Sequence, residues 1–362
     1  MKKKKVLLIG NHEIVIYNFR LELIEALLNK NYEVFLMLPK GEKTKIFERM
    51  GCHFIDTPLE RHGVNPFSDL VLFFRYYRSI KMINPDMILT YTIKPNIYGG
   101  LTGRMLKIPY VTNITGLGSA VENEGFLQKI TILLYRVALK QVHKVYFQNE
   151  ENMAFFNKHR IAFKKGELLP GSGVNLHKFK TLPYPAEESL HFIFIARVMK
   201  EKGIEEYLKT AKYIKKKFPH TNFHVFGFCE ERYEKILHKY EQEKIIIYHG
   251  MVDNIQEYIQ IAHCTIHPSY YPEGMSNVCL ESAASARPVI TTIRSGCRET
   301  VIDNVTGFLV EPQNTEMLIN TVEKFINLSY VEKEKMGLAA RKYMEEKFDR
   351  KIVVDKYLKE LD

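Results

Sequence analysis

The sequence has no tryptophan, only five scattered cysteines, and no Cys-x-x-Cys pair. This distribution indicates neither a disulfide framework nor a zinc site, so we expect the reducing cytoplasm as the compartment. Glycine and proline are also scarce, at 20 and 14 of 362 residues, while 46% of the residues are hydrophobic. Collagen-like, low-complexity and disordered chains are therefore excluded, and an ordinary folded protein remains.

Long hydrophobic runs are absent as well. A membrane span needs about 18 uninterrupted apolar residues, and no segment approaches that length. The first apolar run, 6–9, follows four lysines and is too short for the hydrophobic region of a secretory signal. The sequence thus predicts neither a spanning helix nor a secretory leader.

Short apolar runs that alternate with helical periodicity are present throughout the chain, and its length corresponds to about two domains. The strand-like runs are 6–10, 32–39, 53–57, 87–92, 110–115, 145–148, 191–197, 222–227, 245–250, 264–269, 288–292 and 307–311. Because buried strands separated by helices form parallel sheets, we predict an α/β fold with two Rossmann-like doubly wound domains.

A cluster of turn residues from 170 to 185 predicts the boundary between the domains. The first domain is then 1–170 and the second 171–348. The last helix, about 349–362, is expected to pack back on the first domain.

Positive charge is concentrated in the first half. Residues 1–170 contain 25 Lys and Arg against 15 Asp and Glu, whereas residues 171–362 contain 27 of each kind. This asymmetry indicates an anionic partner for the first domain: nucleic acid, an anionic membrane surface or a phosphorylated substrate. A merely solvated basic surface is the alternative.

Two predicted helices in that half combine basic and apolar residues, which favours an anionic membrane surface as partner. No recognition helix, zinc finger or RNA-binding strand motif is present, so we expect no nucleic acid. In 66–83 the basic residues are Arg75, Arg78 and Lys81, and in 126–144 they are Lys129, Arg136, Lys140 and His143.

Two predicted strand ends of the second half carry candidate chemistry. Arg197 follows one strand, and Lys202 with Gly203 immediately precedes a helix, an arrangement suited to a diphosphate. After the strand 264–269, a Pro-Glu-Gly turn contains Glu273, and Ser276 is a good N-cap for a helix containing Glu281. Carboxylates at this separation suit the hydroxyls of a sugar and a ribose. Surface charges and a plain turn are the structural alternatives.

Metal-binding patterns are missing. None of the eight aspartates forms an Asp-x-Asp motif, so a carboxylate-held metal is not indicated, and we expect no cofactor. His263 and His267 are four residues apart, but on a strand this spacing does not bring both side chains to one metal, and we interpret them as structural.

Four motifs together resemble the retaining GT-B glycosyltransferases of family 4, the glycosyl group 1 class. These are Glu273 to Glu281, Ala196-Arg197 with 201–203, the segment 171–175, and the segment 305–310. The resemblance implies two domains facing each other across a cleft. It also implies a metal-independent retaining hexosyltransferase that uses a nucleotide sugar, with UDP as the nucleotide.

The resemblance also implies roles for individual residues. Arg197 and Lys202 would grip the donor diphosphate, Glu281 would hold the ribose and Glu273 would contact the sugar, with Glu273, Arg197 and Lys202 as the catalytic set. The implied donor-contacting residues are Arg197, Lys202, Val252, Glu273, Gly274, Met275, Ser276, Asn277, Val278, Glu281 and Gly10.

Segments 17–20, 65–67 and 115–119 resemble the branch that adds N-acetylgalactosamine to undecaprenyl-diphosphate-linked bacillosamine. The implied partners are a lipid-linked saccharide acceptor and the anionic inner membrane surface, with the enzyme peripherally attached from the cytoplasm. Many relatives have a histidine where Thr115 stands and a second glycine where Asn11 follows Gly10. Thr115, Gly116 and Asn11 are therefore the acceptor-side candidates.

Three other classes of protein are alternatives. A dinucleotide-dependent oxidoreductase is disfavoured because the first strand ends in Gly10-Asn11-His12-Glu13, without the G-x-G-x-x-G turn. A sugar-nucleotide epimerase or phosphorylase would share the two-domain design and would act without the acceptor. A non-catalytic sugar-nucleotide-binding protein at the membrane would have no need for all four charged residues.

Overall fold

The computed structural model describes residues 3–59, 65–118, 125–186 and 188–361. The chain divides into two compact units, one formed by 1–172 with 351–362 and the other by 173–350.

Among its described residues, the first unit contains one parallel sheet of seven strands. The strands are β1 (Lys5–Ile9), β2 (Glu33–Leu38), β3 (His53–Asp56), β4 (Met87–Tyr91), β5 (Tyr110–Ile114), β6 (Lys144–Phe147) and β7 (Gly166–Leu168). Their order in the sheet is β3-β2-β1-β4-β5-β6-β7. The helices are α1 (Glu13–Asn29), α2 (Thr44–Arg49), α3 (Pro66–Ile83), α4 (Gly100–Leu106), α5 (Phe126–Ala138) and α6 (Glu150–Lys158), with a π-helix at Pro95–Gly99.

The second unit contains a parallel sheet of six strands in the part that the structure describes. The strands are β8 (Leu190–Ile195), β9 (Thr221–Phe226), β10 (Ile247–Gly250), β11 (Cys264–His267), β12 (Val289–Thr292) and β13 (Gly307–Val310). Their order is β10-β9-β8-β11-β12-β13. The helices are α7 (Ile204–Lys217), α8 (Glu231–Gln242), α9 (Ile255–Ile261), α10 (Asn277–Ala284), α11 (Thr315–Ile326) and α12 (Tyr330–Lys347).

The central strands of each sheet are buried on both faces, as continuous apolar strands require, whereas the edge strands β3, β7 and β10 are partly exposed. In β1, Leu7 and Ile9 pack in one core cluster, whereas Val6 and Leu8 pack in the other. The last helix, α13 (Arg350–Lys359), contributes to the first unit. Its Tyr357 hydroxyl accepts a hydrogen bond of 2.7 Å from the Asn113 side chain. The predicted fold of two Rossmann-like α/β domains is therefore confirmed.

Two elements differ from the sequence-based expectation. Strand β7 is not predicted, because its three residues are too few to show a periodic pattern. Helix α5 ends at Ala138 instead of continuing to residue 144, since Leu139 and Val142 turn into the core. Lys140 and His143 therefore lie outside the helix, and His143 pairs with Glu360 at 2.8 Å. Of the helices in the described ranges, none is long and apolar enough to cross a bilayer.

Candidate active site

Arg197 and Lys202 lie beyond the carboxyl end of β8, the edge at which parallel sheets bind ligands. A short 3₁₀ turn, Lys200–Lys202, is followed by Gly203 with a φ of 78°, and α7 begins at the next residue. The left-handed conformation favours glycine, and a Cβ there would collide with the carbonyl of Pro268. Gly203 therefore lets the Lys202 turn approach the segment that leaves β11.

A backbone hydrogen bond joins the same two segments. The Tyr270 amide donates to the carbonyl of Glu201 over 2.9 Å. Because this bond fixes the segment after β11 against the Lys202 turn, residues far apart in the sequence share one surface.

The two cations converge on an aromatic ring. The guanidinium carbon of Arg197 lies 5.8 Å from the centroid of Tyr271. The ammonium of Lys202 lies 4.9 Å from the same centroid. Such contacts stabilise by about 0.5–1 kcal/mol when exposed and more when desolvated. Tyr271 therefore positions both cations, a role that no sequence motif indicates, since its ring is brought to them by the fold.

Glu273 is the acidic centre of the cluster. Its carboxylate forms an ion pair with Lys202 and accepts a hydrogen bond of 3.3 Å from the Ser269 hydroxyl. Nε2 of His267 lies 3.8 Å from the same oxygen. Burial alone would raise the pKa of Glu273, but Lys202 and His267 outweigh it and lower the pKa to about 2. Glu273 is consequently an anion throughout the physiological range.

The two histidines that the sequence analysis interprets as structural lie at either end of β11. His263 is structural as expected, because its Nδ1 accepts from the His191 amide and its Nε2 contacts the Ala186 carbonyl. His267 ends β11 and is buried beside Glu273. The available signal was its position at the carboxyl end of a strand, six residues before Glu273.

Helix α10 begins as the sequence predicts. Ser276 is its N-cap, and the Ser276 hydroxyl accepts a hydrogen bond of 3.5 Å from the Cys279 amide. The Ser276 amide donates to the carbonyl of Gly296 over 2.7 Å, which ties the turn to the segment after β12. The buried Oδ1 of Asn277 has no hydrogen-bond partner among the described residues. The first turn thus presents an amide side chain and a positive helix end.

The other members of the motif surround this turn. Gly274 and Met275 are buried, whereas Asn277 and Val278 are partly exposed. Val252 follows β10 and packs partly buried against the core cluster that contains Met275.

Glu281 occupies a different electrostatic environment from Glu273. It lies on α10, where burial raises its pKa to about 7, opposed by Lys178 and Arg350. Near neutral pH this carboxyl is therefore partly protonated and can donate as well as accept a hydrogen bond. The motif contains one permanent anion and one titrating acid.

The remaining candidates belong to the first unit. Gly10 and Asn11 follow β1, and Thr115 and Gly116 follow β5, so all four lie at the carboxyl ends of strands that flank β4. The Gly10 amide donates a hydrogen bond of 3.3 Å to the carbonyl of Met37. A Cβ on Gly10 would lie 3.1 Å from Leu38, a close approach.

No group of three His, Cys, Asp or Glu side chains in the described ranges is arranged to hold a metal ion. The converging groups are instead two cations, an aromatic ring, a carboxylate and a helix N-terminus. An anionic ligand carrying hydroxyl groups fits this set of donors and acceptors.

Comparison with known families agrees with this class of site. Residues 182–343 match the family described as Glycosyl transferases group 1. Residues 5–149 match the family described as Glycosyl transferase 4-like. The chain is therefore a glycosyltransferase and belongs to these group 1, GT4-like enzymes.

Two relatives extend over almost the whole chain. One is the N,N'-diacetylbacillosaminyl-diphospho-undecaprenol alpha-1,3-N-acetylgalactosaminyltransferase of Campylobacter jejuni, 28% identical over 96% of this chain and 95% of the relative. The other is the capsular polysaccharide biosynthesis glycosyltransferase CapM of Staphylococcus aureus, 25% identical over 91% of this chain and 90% of the relative.

Solved structures share the fold. HepE of Anabaena, crystallised with UDP, has a TM-score of 0.81 at 14% identity, with 99% of each chain covered. TarM has a TM-score of 0.80 at 11% identity, covering 100% of this chain and 99% of the other. At such low identity the likeness establishes the GT-B fold and nothing finer.

Proposed function

We propose that this protein is a retaining, metal-independent glycosyltransferase. It moves a hexose or N-acetylhexosamine from a nucleotide sugar, with UDP as the nucleotide, to a polyprenyl-diphosphate-linked saccharide. The observation that carries the proposal is the convergence of Arg197 and Lys202 on Tyr271, beside the ionised Glu273. A nucleotide sugar has both features that such a cluster recognises, a diphosphate and a hydroxylated ring.

The reaction requires charge stabilisation at the leaving group. The bond between the anomeric carbon and the donor phosphate oxygen breaks, and a bond to the acceptor oxygen forms on the same face of the sugar. The acceptor hydroxyl proton passes to the leaving phosphate oxygen. Arg197 and Lys202 neutralise the charge that develops there, and removing one such donor costs about 3 kcal/mol of transition-state stabilisation.

Glu273 orients the donor sugar in this proposal, and it forms no covalent intermediate. Its paired, strongly acidic carboxylate accepts hydrogen bonds from sugar hydroxyls, while the Ser269 hydroxyl donates to it and the His267 ring lies beside it. Glu281 binds the ribose, Gly274–Val278 contact the sugar and phosphates, and Val252 lines the base pocket. With two cations at the diphosphate, a divalent metal is not required.

The acceptor class is supported by the Campylobacter relative, whose name specifies a diphospho-undecaprenol substrate. Two helices of the first unit support attachment to an anionic bilayer. On α3, Phe67 and Phe74 are 82% and 53% exposed, and on α5, Phe126 and Leu133 are 80% and 58% exposed. Exposed apolar side chains beside basic residues suit peripheral binding at the inner face of the cell membrane.

The decisive experiment measures transfer and donor binding in the same preparation. We expect one UDP-sugar to raise the thermal unfolding temperature with or without EDTA, more than GDP-, ADP- or TDP-sugars. Product should form only with a polyprenyl-diphosphate saccharide, and its NMR spectrum should show the donor's anomeric configuration. Consumption of donor without acceptor would support the alternative, an epimerase or phosphorylase.

A matched pair of variants tests the cations. Arg197→Ala should lower turnover by about two orders of magnitude and leave the fold intact. Arg232 lies 4.9 Å from the Tyr233 ring and serves as a cation–aromatic control of the same kind in the same unit. Arg232→Ala should turn over like the unmodified protein, and equal turnover by both variants would refute the assignment of Arg197.

A further inference from the structure

A cavity of about 480 Å³ lies in the first unit, beside α3. Leu59 in its wall follows β3, and Lys94 follows β4, so the cavity opens at the carboxyl edge of the sheet. Helix α3 supplies Ser68, Asp69, Leu72 and Arg75. This is the edge at which open parallel sheets bind ligands.

The wall contains a largely buried ion pair. Nζ of Lys94 lies 2.7 Å from the Asp69 carboxylate, and the two side chains are only 15% and 14% exposed. Apolar residues often stabilise a fold as well as a buried ion pair does, because removing charges from water is costly. An ion pair at the wall of a cavity is therefore better explained by binding a polar ligand than by stability.

Two unusual backbone features hold Lys94 in place. Thr92, a β-branched residue, has a φ of 72°, a conformation in which such residues are rare. Its buried hydroxyl has no hydrogen-bond partner within the described ranges. The segment Pro95–Gly99 then forms a π-helix. Strained residues and π-helical turns are concentrated at functional sites, and here they flank a single lysine.

Charge and shape indicate the class of ligand. The cavity wall carries two positive charges, on Arg75 and Lys94, and one negative charge, on Asp69. Its net positive charge suits an anion. The Arg75 guanidinium donates to the Pro58 carbonyl over 3.2 Å, one of its five possible hydrogen bonds. Leu59 and Leu72 add apolar surface of the kind that packs against sugar rings.

We propose that this cavity binds the saccharide-diphosphate head group of the acceptor. Asp69 and Lys94 bond to the hydroxyl or acetamido groups of the saccharide, and Arg75 binds the diphosphate. The polyprenyl chain then extends along the exposed apolar residues of α3, of which Phe67 and Leu70 are 82% and 53% exposed. The inference rests on the acceptor class proposed above and assigns residues to it.

Binding and kinetics of the full-length protein test the assignment. The probes are N-acetylglucosamine linked through diphosphate to farnesol, and farnesyl diphosphate, which lacks the saccharide. Arg75→Gln should weaken binding of both probes roughly tenfold or more, the effect of losing one charge-assisted hydrogen bond. Asp69→Asn should weaken binding of the saccharide probe alone. Arg49→Gln, an exposed change on α2 of the same unit, is the control and should bind both probes normally.

Donor binding separates this inference from the proposed function. Both site variants should raise KM for the lipid-linked acceptor, while stabilisation by the UDP-sugar stays near that of the control. Arg75→Gln should also keep the unfolding temperature of the control, whereas Asp69→Asn should lower it, because it leaves Lys94 as an uncompensated, largely buried charge. Unchanged acceptor binding in both variants would overturn the inference and leave the proposed function standing. If the unmodified protein bound donor but transferred sugar to no prenyl-diphosphate saccharide, the acceptor class and this inference would fail together.

Discussion

The Lys202 ammonium lies against the Glu273 carboxylate, although 71 positions separate the two residues in the sequence. Both side chains are mostly buried, at 13% and 15% exposure. Each buried charge is therefore compensated by the other, so removal of either partner should destabilise the fold.

We expect Lys202→Met to lower the free energy of unfolding by roughly 3 kcal/mol at neutral pH, because Glu273 would be left as an uncompensated buried charge. Glu273 has a pKa of about 2 in the folded protein and 4.5 ordinarily, so the pair stabilises fully above pH 4.5 and less as the pH falls towards 2. The difference between variant and parent should shrink over that range. Chemical denaturation at several pH values measures it, with exposed Lys200→Met as control, and a constant difference would contradict the assignment.

Gly203→Ala should inactivate the enzyme by displacing Lys202. The new methyl group would meet the Pro268 carbonyl, and the residue would also keep a φ of 78°. Gly51 has a φ of 96° but nothing within 4 Å of a Cβ, so Gly51→Ala introduces the strain without the collision. The control should cost about 1 kcal/mol of stability and retain activity. Equal turnover in the two variants would show that the close approach to Pro268 is unimportant.

The pH dependence of Glu281 has the opposite sign to that of Glu273. Its pKa is about 7 when folded and 4.5 ordinarily, so the folded state binds the extra proton, and stability is lost as the pH rises from 4.5 through 7. The free energy of unfolding of Glu281→Gln, relative to that of the parent, should therefore be higher at pH 8 than at pH 5. Thermal unfolding across that range is the measurement. The exposed Glu316→Gln should show no such trend, and a parallel response of both variants would refute the shift.

A string of hydrogen-bonded histidines crosses the second sheet and should make the protein sensitive to acid. His191 Nδ1 contacts His224 Nε2, and His224 Nδ1 contacts His249 Nε2, both at 2.9 Å. Burial lowers the pKa of His224 to about 4, with His191, His249 and Lys215 adding to the effect. Protonation on unfolding then removes stability as the pH falls from 6.5 to 4. His224→Gln should reduce this loss in denaturation curves, whereas the exposed His177→Gln should not.

Membrane attachment should depend on the apolar residues of α3. Replacing Leu70 and Phe74, each 53% exposed, by serine should reduce sedimentation with vesicles containing phosphatidylglycerol. Phe163, 58% exposed in the same unit but outside α3 and α5, provides the control Phe163→Ser. Binding to neutral phosphatidylcholine vesicles should be weaker for every variant, because the basic residues contribute only at an anionic surface. Equal sedimentation of the control and the double variant would exclude α3 as the membrane contact.

Local patterns were sufficient for most of the fold. Twelve of the strands in the two sheets correspond to apolar runs in the sequence. Most of them are central strands, which are buried on both faces and must therefore be continuously apolar. The N-cap Ser276 was equally readable, since its short polar side chain precedes the first helical turn. The strand β7 and the end of α5 were not, because tertiary contacts outweigh local propensity over such short segments.

The sequence by itself determined the types of residue at the candidate active site and their position after strands β8 and β11. Only the tertiary structure decided which of them meet: Lys202 with Glu273, both cations with Tyr271, and His267 with the Glu273 carboxylate at 3.8 Å. The same holds for Lys94 and Asp69 in the first unit. These contacts join separate strands and loops. They therefore depend on the order of the strands in the sheet and on backbone conformations such as that of Gly203, which bring oppositely charged side chains together in buried positions.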